Sequence, residues 1–156
     1  MLVGAVLVLL VAAGAAAGAV FTSLDGQATV ALSSTAAGAR SVAVTVQLPA
    51  VLQCGRPMGG PVSVSLPRGE RMPRGIATSA VRVNGITPAS VTVGGRTVTV
   101  TLPVRHGVTC MTIIDGRLKL VLAPAAGLGN PSAAGSYTVV IRQGKTGWLV
   151  PVSIKG

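Results

Sequence analysis

Apolar and polar residues alternate with a period of two through most of the chain beyond residue 28, in short runs broken by Gly, Pro and Asn. Val91 and Val93 flank Thr92, and after Gly94-Gly95 the residues Val98, Val100 and Leu102 alternate with Thr97, Thr99 and Thr101. Side chains of a strand point to opposite faces in turn, so this spacing predicts two strands. The Gly94-Gly95 step supplies residues that accept positive φ, which predicts a tight hairpin between them. One face of that hairpin is apolar and the other is threonine. Such a sheet rests one side on a core and leaves the other to water or a partner. Leu118, Leu120 and Leu122 repeat the alternation, as do Tyr137, Val139 and Ile141. Residues 29–33 and 41–48 open the series, the second with Val42, Val44, Val46 and Leu48 on one face, and the loop 34–40 between them has a turn-like Gly38.

The fold expected from this pattern is all-β, a single antiparallel β-sandwich, with no helix, repeat or second domain beyond Ala19. Residues 1–20 follow a different rule. They form an uncharged Ala-, Gly-, Val- and Leu-rich run, and a helix of that length reaches roughly 30 Å, enough to span a bilayer. Ala17-Gly18-Ala19 has the A-x-A form of a signal-peptidase site, although the basic flank of a signal peptide is missing. The expected division is a signal peptide or membrane anchor over 1–19 and one domain over 20–156. Any membrane contact then runs through residues 1–20, if they are uncleaved. The remaining length is that of one domain with one real core.

Charge changes the picture more than composition does. Thirteen Lys and Arg stand against Asp25, Glu70 and Asp115, a formal net charge of +10, and such a surface attracts polyanions over a salt-dependent range. The tightest group is Arg68, Arg71 and Arg74, set among Pro67, Gly69, Pro73 and Gly75. That segment reads as a surface loop, either solvated or a contact patch for anionic wall polymer, lipid head groups or nucleic acid. Nucleic acid is disfavoured, because Phe21, Tyr137 and Trp148 are the only rings available to stack on bases.

Several motifs occur in a telling order. They are the strand end Leu66-Pro67, the step Val83-Asn84-Gly85, the Gly94-Gly95 hairpin, Gly127 with Asn130-Pro131, and Gly135-Ser136-Tyr137-Thr138. Together they resemble the immunoglobulin-like modules of bacterial and archaeal surface proteins, S-layer-type and cell-wall-attached ones included. The match fades back to Thr29 and covers most of the chain after the leader. The resemblance implies an immunoglobulin-like sandwich acting as a structural or adhesive part of the envelope, and it transfers no catalytic residue. It also implies a corner at Tyr137, whose hydroxyl would turn back onto upstream backbone. Trp148 is expected to cap the core, the alternative being an exposed ring for carbohydrate stacking. Two stretches depart from the family pattern as insertions, and each carries one cysteine, Cys54 and Cys110. One disulfide joining them is the economical expectation, consistent with export, and it would restrict the unfolded chain by about 4 kcal/mol.

Site chemistry is mostly excluded by counting. His106, Cys110 and Met111 evoke a blue-copper set, but that set needs two histidines and the chain has one. A Cys/His zinc site fails on ligand number. Three scattered acids give no glycosidase pair, and a Ser, His106 and Asp115 triad has no supporting local signature. No metal or cofactor is expected. The reading is an exported, non-enzymatic envelope module whose partners are envelope polymer or other surface-protein modules, itself included as a homo-oligomer. The alternatives are a subunit of an extracellular filament or lattice that keeps its apolar N-terminus and, more weakly, a secreted hydrolase.

Overall fold

A strand with one aliphatic face is stable only when that face meets another, and here two sheets meet. The computed structural model describes residues 20–22, 28–49, 61–102 and 117–156. In chain order the strands are β1 (Val20–Thr22), β2 (Thr29–Leu32), β3 (Val44–Pro49), β4 (Val62–Ser65), β5 (Val81–Val83), β6 (Ser90–Gly94), β7 (Thr97–Thr101), β8 (Arg117–Leu122), β9 (Gly135–Gln143) and β10 (Thr146–Ile154). The first sheet has the order β1-β2-β3-β8-β5 and the second β10-β9-β4-β7-β6, with every strand pair antiparallel. The chain is thus the expected all-β sandwich of two antiparallel sheets. Among the described residues helix occurs only as two 3-10 turns, at Thr78–Ala80 and Pro124–Ala126, and none is long and apolar enough to cross a membrane.

The register follows from the alternation. Val44, Val46 and Leu48 of β3 stand opposite Leu122, Leu120 and Leu118 of β8, and all six are buried. They meet Val62 and Val64 of β4, Val98 and Val100 of β7, and Val139 and Ile141 of β9, also buried. The centre is almost wholly aliphatic, and β-branched residues suit it because their stiff side chains pack well on a pleated surface. The outward face of the second sheet is lined with hydroxyls. Ser63 shares a hydrogen bond with Thr99 at 3.1 Å, Ser65 with Thr97 at 2.8 Å, and Ser90 donates to Thr101 at 2.8 Å.

Three local expectations shift. The β6–β7 hairpin turns on Gly95-Arg96, because Gly94 pairs with Thr97 inside the ladder, and of the two loop residues only Gly95 has a positive φ, of 58°. Positive φ at the first loop position alone is the pattern of a II′ turn, whose twist matches the strands. The strand expected over 41–48 begins at Val44, since Ser41 has a φ of 55° and breaks the extended backbone. The last strand is longer than 137–141 and folds back at Gly144-Lys145, giving two nine-residue partners, β9 and β10. The leader over 1–19, Asp25, Cys54, His106, Cys110, Met111 and Asp115 lie outside the described residues.

One end of the sandwich is built from loops that are tied to one another. Asn130, buried at 5% exposure, donates from Nδ2 to the carbonyls of Ser34 at 2.9 Å and Ala36 at 2.8 Å, while its backbone N–H donates to Ala39 at 2.9 Å. The Gly38 N–H donates to the Pro131 carbonyl at 2.7 Å, and the Val42 N–H to the Leu128 carbonyl at 2.8 Å. The C-terminal segment joins the same knot, with Lys155 donating to Thr35 at 2.7 Å and Ala37 donating to Lys155 at 2.8 Å. A buried carbonyl that loses its donor costs about 1–3 kcal/mol. Asn130→Ala should therefore lower stability by about 2 kcal/mol or more, and Asn130→Asp by more still at pH 7, because a carboxylate would face two carbonyl oxygens. Urea denaturation of the three proteins checks this ranking.

Candidate functional site

The antiparallel topology decides which loops share an end. The strand ends Leu32, Ser65, Leu122 and Ile154 lie at the same end of the sandwich as the Gly95-Arg96 turn, as the pairs Leu32–Val44, Val44–Leu122 and Ser65–Thr97 require. Gathered there are the loop after β2 with Arg40, the loop after β4 with Arg68, Arg71 and Arg74, the turn with Arg96, and the chain beyond β10 with Lys155. All six cations are exposed. Arg96 is fastened, its Nη1 donating to the Leu66 carbonyl at 2.8 Å.

The structure brings Arg71 together with a residue that sequence reasoning did not connect to it. Arg71 and Gly129 exchange both backbone hydrogen bonds, each 3.1 Å, and Gly129 also stands opposite Arg40 on its other side. Gly129 thus sits between the two arginines as the middle rung of a short three-stranded ladder. Its lack of a side chain is needed, because a Cβ there would lie 2.8 Å from the Ala39 carbonyl oxygen and 3.3 Å from the Arg71 Cβ. The other two members of the sequence cluster stand apart. Arg68 precedes Gly69, which lies beside Pro131, and Arg74 follows Pro73, which lies beside Gly127, so they mark the two ends of the loop. Arg71 alone of the three lies at its middle, against Gly129.

Glu70 faces differently from its neighbours. It is half-buried next to Met72, which packs on the core, and burial pushes its carboxyl up to about 8, with no cation offsetting the cost. Among the described residues it is the only acidic side chain, and none of Arg40, Arg68, Arg71 and Arg74 pairs with it. Among the described residues, this end therefore carries its cations at neutral pH without an ionised acidic side chain to compensate them.

Tyr137, at the start of β9, donates its hydroxyl to the Ala133 carbonyl, four residues upstream, at 2.9 Å. Its ring lies along Gly135, where a Cβ would sit 3.6 Å from the ring edge. Trp148 is half-buried and packs against the core. Among the described residues no group of three His, Cys, Asp or Glu side chains gathers in a way that would hold a metal. The disulfide expected between Cys54 and Cys110, and the His106 and Asp115 pair weighed for hydrolysis, lie outside the described residues.

Fold and site together define a two-sheet antiparallel β-sandwich with a cationic, tightly bonded loop end. No protein-family model matches the chain, and no curated protein sequence matches it closely. Among solved structures it is similar to a crystal structure of BslA, described as a bacterial hydrophobin, with a TM-score of 0.50 and 20% identity over 82% of this chain and 94% of that one. At that identity the likeness is one of fold.

Glu70 makes stability depend on pH. Its folded value is raised from 4.5 to about 8, so between those values the folded state holds a proton that the unfolded state has lost. Stability then falls as pH rises across that window. Glu70→Gln, which mimics the neutral form, should remove this slope, so that the thermal midpoints of variant and wild type converge near pH 4.5 and separate in the variant's favour by pH 8. Scans at half-unit intervals test it, and parallel curves for the two proteins would refute it.

Proposed function

We propose that the chain is a non-enzymatic module of the cell exterior that attaches to an anionic envelope polymer through the loop end bearing Arg40, Arg68, Arg71, Arg74, Arg96 and Lys155. The observation that carries this reading is the gathering of six exposed cations on hydrogen-bonded loops at that end, beside a half-buried Glu70 that is the only acidic side chain among the described residues. Rigid backbone beneath a binding surface lowers the ordering cost of association. An extracellular surface role agrees with the fold shared with a protein described as a bacterial hydrophobin and with the immunoglobulin-like envelope modules that the motifs resemble. Attraction of this type is screened by salt, the Debye length falling from about 10 Å at 0.1 M to about 3 Å at 1 M. Purified bacterial cell wall should retain the protein at 0.1 M NaCl and release it toward 1 M. Replacing Arg68, Arg71 and Arg74 together by Ser should weaken retention, while replacing Lys119, Arg142 and Lys145 should weaken it less. Equal retention of the two triple variants would refute the assignment to this end.

Assembly of copies into a filament or lattice is the second reading, and one observation favours it. Leu149, 68% exposed, lies on the outward face of the edge strand β10, opposite Val140 of β9. A large apolar side chain on a sheet edge suits contact with another copy.

The Cys54–Cys110 disulfide belongs to the same proposal of an exported protein. The described residues flanking the two cysteine-bearing segments are neighbours. Pro49 pairs with Arg117 in one sheet, and Val62 pairs with Val100, near the end of β7, in the other. Thiol labelling of denatured, unreduced protein should find almost no free cysteine, and two labelled thiols per chain would end the idea.

A further inference from the structure

We propose that Arg40 and Arg71, held apart by Gly129, form a two-sided grip for the phosphate group of a phosphodiester polymer. The inference rests on the proposed attachment to anionic polymer and names its chemistry and its centre.

The argument begins with the ladder. Residues directly opposite one another on antiparallel strands carry their side chains on the same face. Arg40 and Arg71 each stand opposite Gly129, so both project from the face on which Gly129 has no side chain. The 3.3 Å from a Cβ placed on Gly129 to the Cβ of Arg71 marks that face directly. Arg71 and Gly129 exchange two hydrogen bonds, which sets their Cα atoms about 5.5 Å apart, and a pair that does not, as Arg40 and Gly129, lies about 4.5 Å apart. A Cβ on Gly129 would also lie 3.6 Å from the Arg40 Cα, so the two arginines are rooted close together on either side of a buried glycine, and their exposed guanidiniums can converge beyond it.

A tetrahedral phosphate suits two guanidiniums that converge from such closely set roots. A carboxylate is planar and is satisfied edge-on by one guanidinium fork, whereas a phosphodiester exposes two charged oxygens in different directions. Two forks approaching from opposite sides each find acceptors. Neither guanidinium is engaged by a carboxylate among the described residues, and both are exposed. The backbone beneath them is fixed by the Asn130, Gly38 and Val42 hydrogen bonds, so the spacing is set before a ligand arrives.

The test uses the full chain with two soluble probes of matched length, poly(glycerol phosphate) and poly-glutamate, titrated calorimetrically at 0.1 M NaCl. Wild type should bind the phosphate polymer several-fold more tightly than the carboxylate polymer. Arg40→Ala and Arg71→Ala should each weaken phosphate binding about tenfold, and the double variant should lose little more than either single, since one guanidinium cannot close the grip alone. Arg40→Lys should resemble Arg40→Ala, because a lysine keeps the charge but not the fork. The Arg68→Ala, Arg74→Ala double variant removes the same charge away from Gly129 and should cost about threefold or less. Thermal midpoints within the error of wild type establish that the substitutions leave the fold intact. Losses that track only the number of charges removed, or equal affinity for the two polymers, would overturn the grip and leave the wider attachment standing. Binding of neither polymer by the wild type would overturn both.

Discussion

Everything in this molecule depends on two aliphatic faces having to meet. The inward residues are mostly Val, Leu and Ile, and the rings of Tyr137 and Trp148 are only half-buried against them. Without aromatic bulk, the core must be filled by many small, stiff side chains from strands in close register. That is why the second sheet ends in a nine-residue hairpin and why β3 and β8 pair over six consecutive positions. Burial of each such side chain contributes about 1.5–3 kcal/mol, an upper bound because the unfolded chain already hides part of its surface.

Sheets packed in this way leave loops at both ends, and backbone polar groups in loops need partners. At the cationic end those partners are other loops. Residues 128–131 run as an improvised strand, bonded to 38–42 on one side and to Arg71 on the other, and Asn130 closes the remaining carbonyls. At this crossing a Cβ on the middle residue would collide with the Ala39 carbonyl oxygen. Gly129 avoids that collision, and the loops it joins are the ones that carry arginines. The core sets the strand ends, the strand ends set the loops, and the loops set the spacing of the charges.

Much of this was legible in the sequence, for one reason: a period of two in apolar residues names the inward face of a strand without reference to its partner. Val44, Val46, Leu48, Leu118, Leu120 and Leu122 lie inward as the pattern requires. The Tyr137 hydroxyl reaches a backbone carbonyl a few residues upstream. The turn at Gly95-Arg96 was displaced by one residue, because two adjacent glycines do not reveal which of them adopts the positive φ. The hairpin at Gly144-Lys145 was missed because a single glycine before a lysine is a weak turn signal, although Val150, Val152 and Ile154 continue the alternation. The meeting of Arg40, Gly129 and Arg71 had no local signature at all. It joins irregular segments far apart in sequence, and only the nearby Gly127 with Asn130-Pro131 stood out there.

The inward turn of Glu70 was equally hidden, and it bears most on how the charge should be read. Cations on a wet surface repel one another weakly. Two of them 10 Å apart in water interact by roughly 0.4 kcal/mol before salt screens even that. Crowding arginines on loops therefore costs little and by itself says little about purpose. A carboxylate is different. Placed between Arg68 and Arg71 in sequence, an outward Glu70 would gain from its neighbours and stay ionised. Instead its carboxyl is half-buried, with burial pushing it up to about 8 and no cation opposing the shift. The fold thus takes on a desolvation cost at the one acidic side chain among the described residues, and the outward positions are left to guanidiniums. An anion arriving at this end, as proposed, would therefore meet guanidiniums in water and no ionised Glu70 carboxylate.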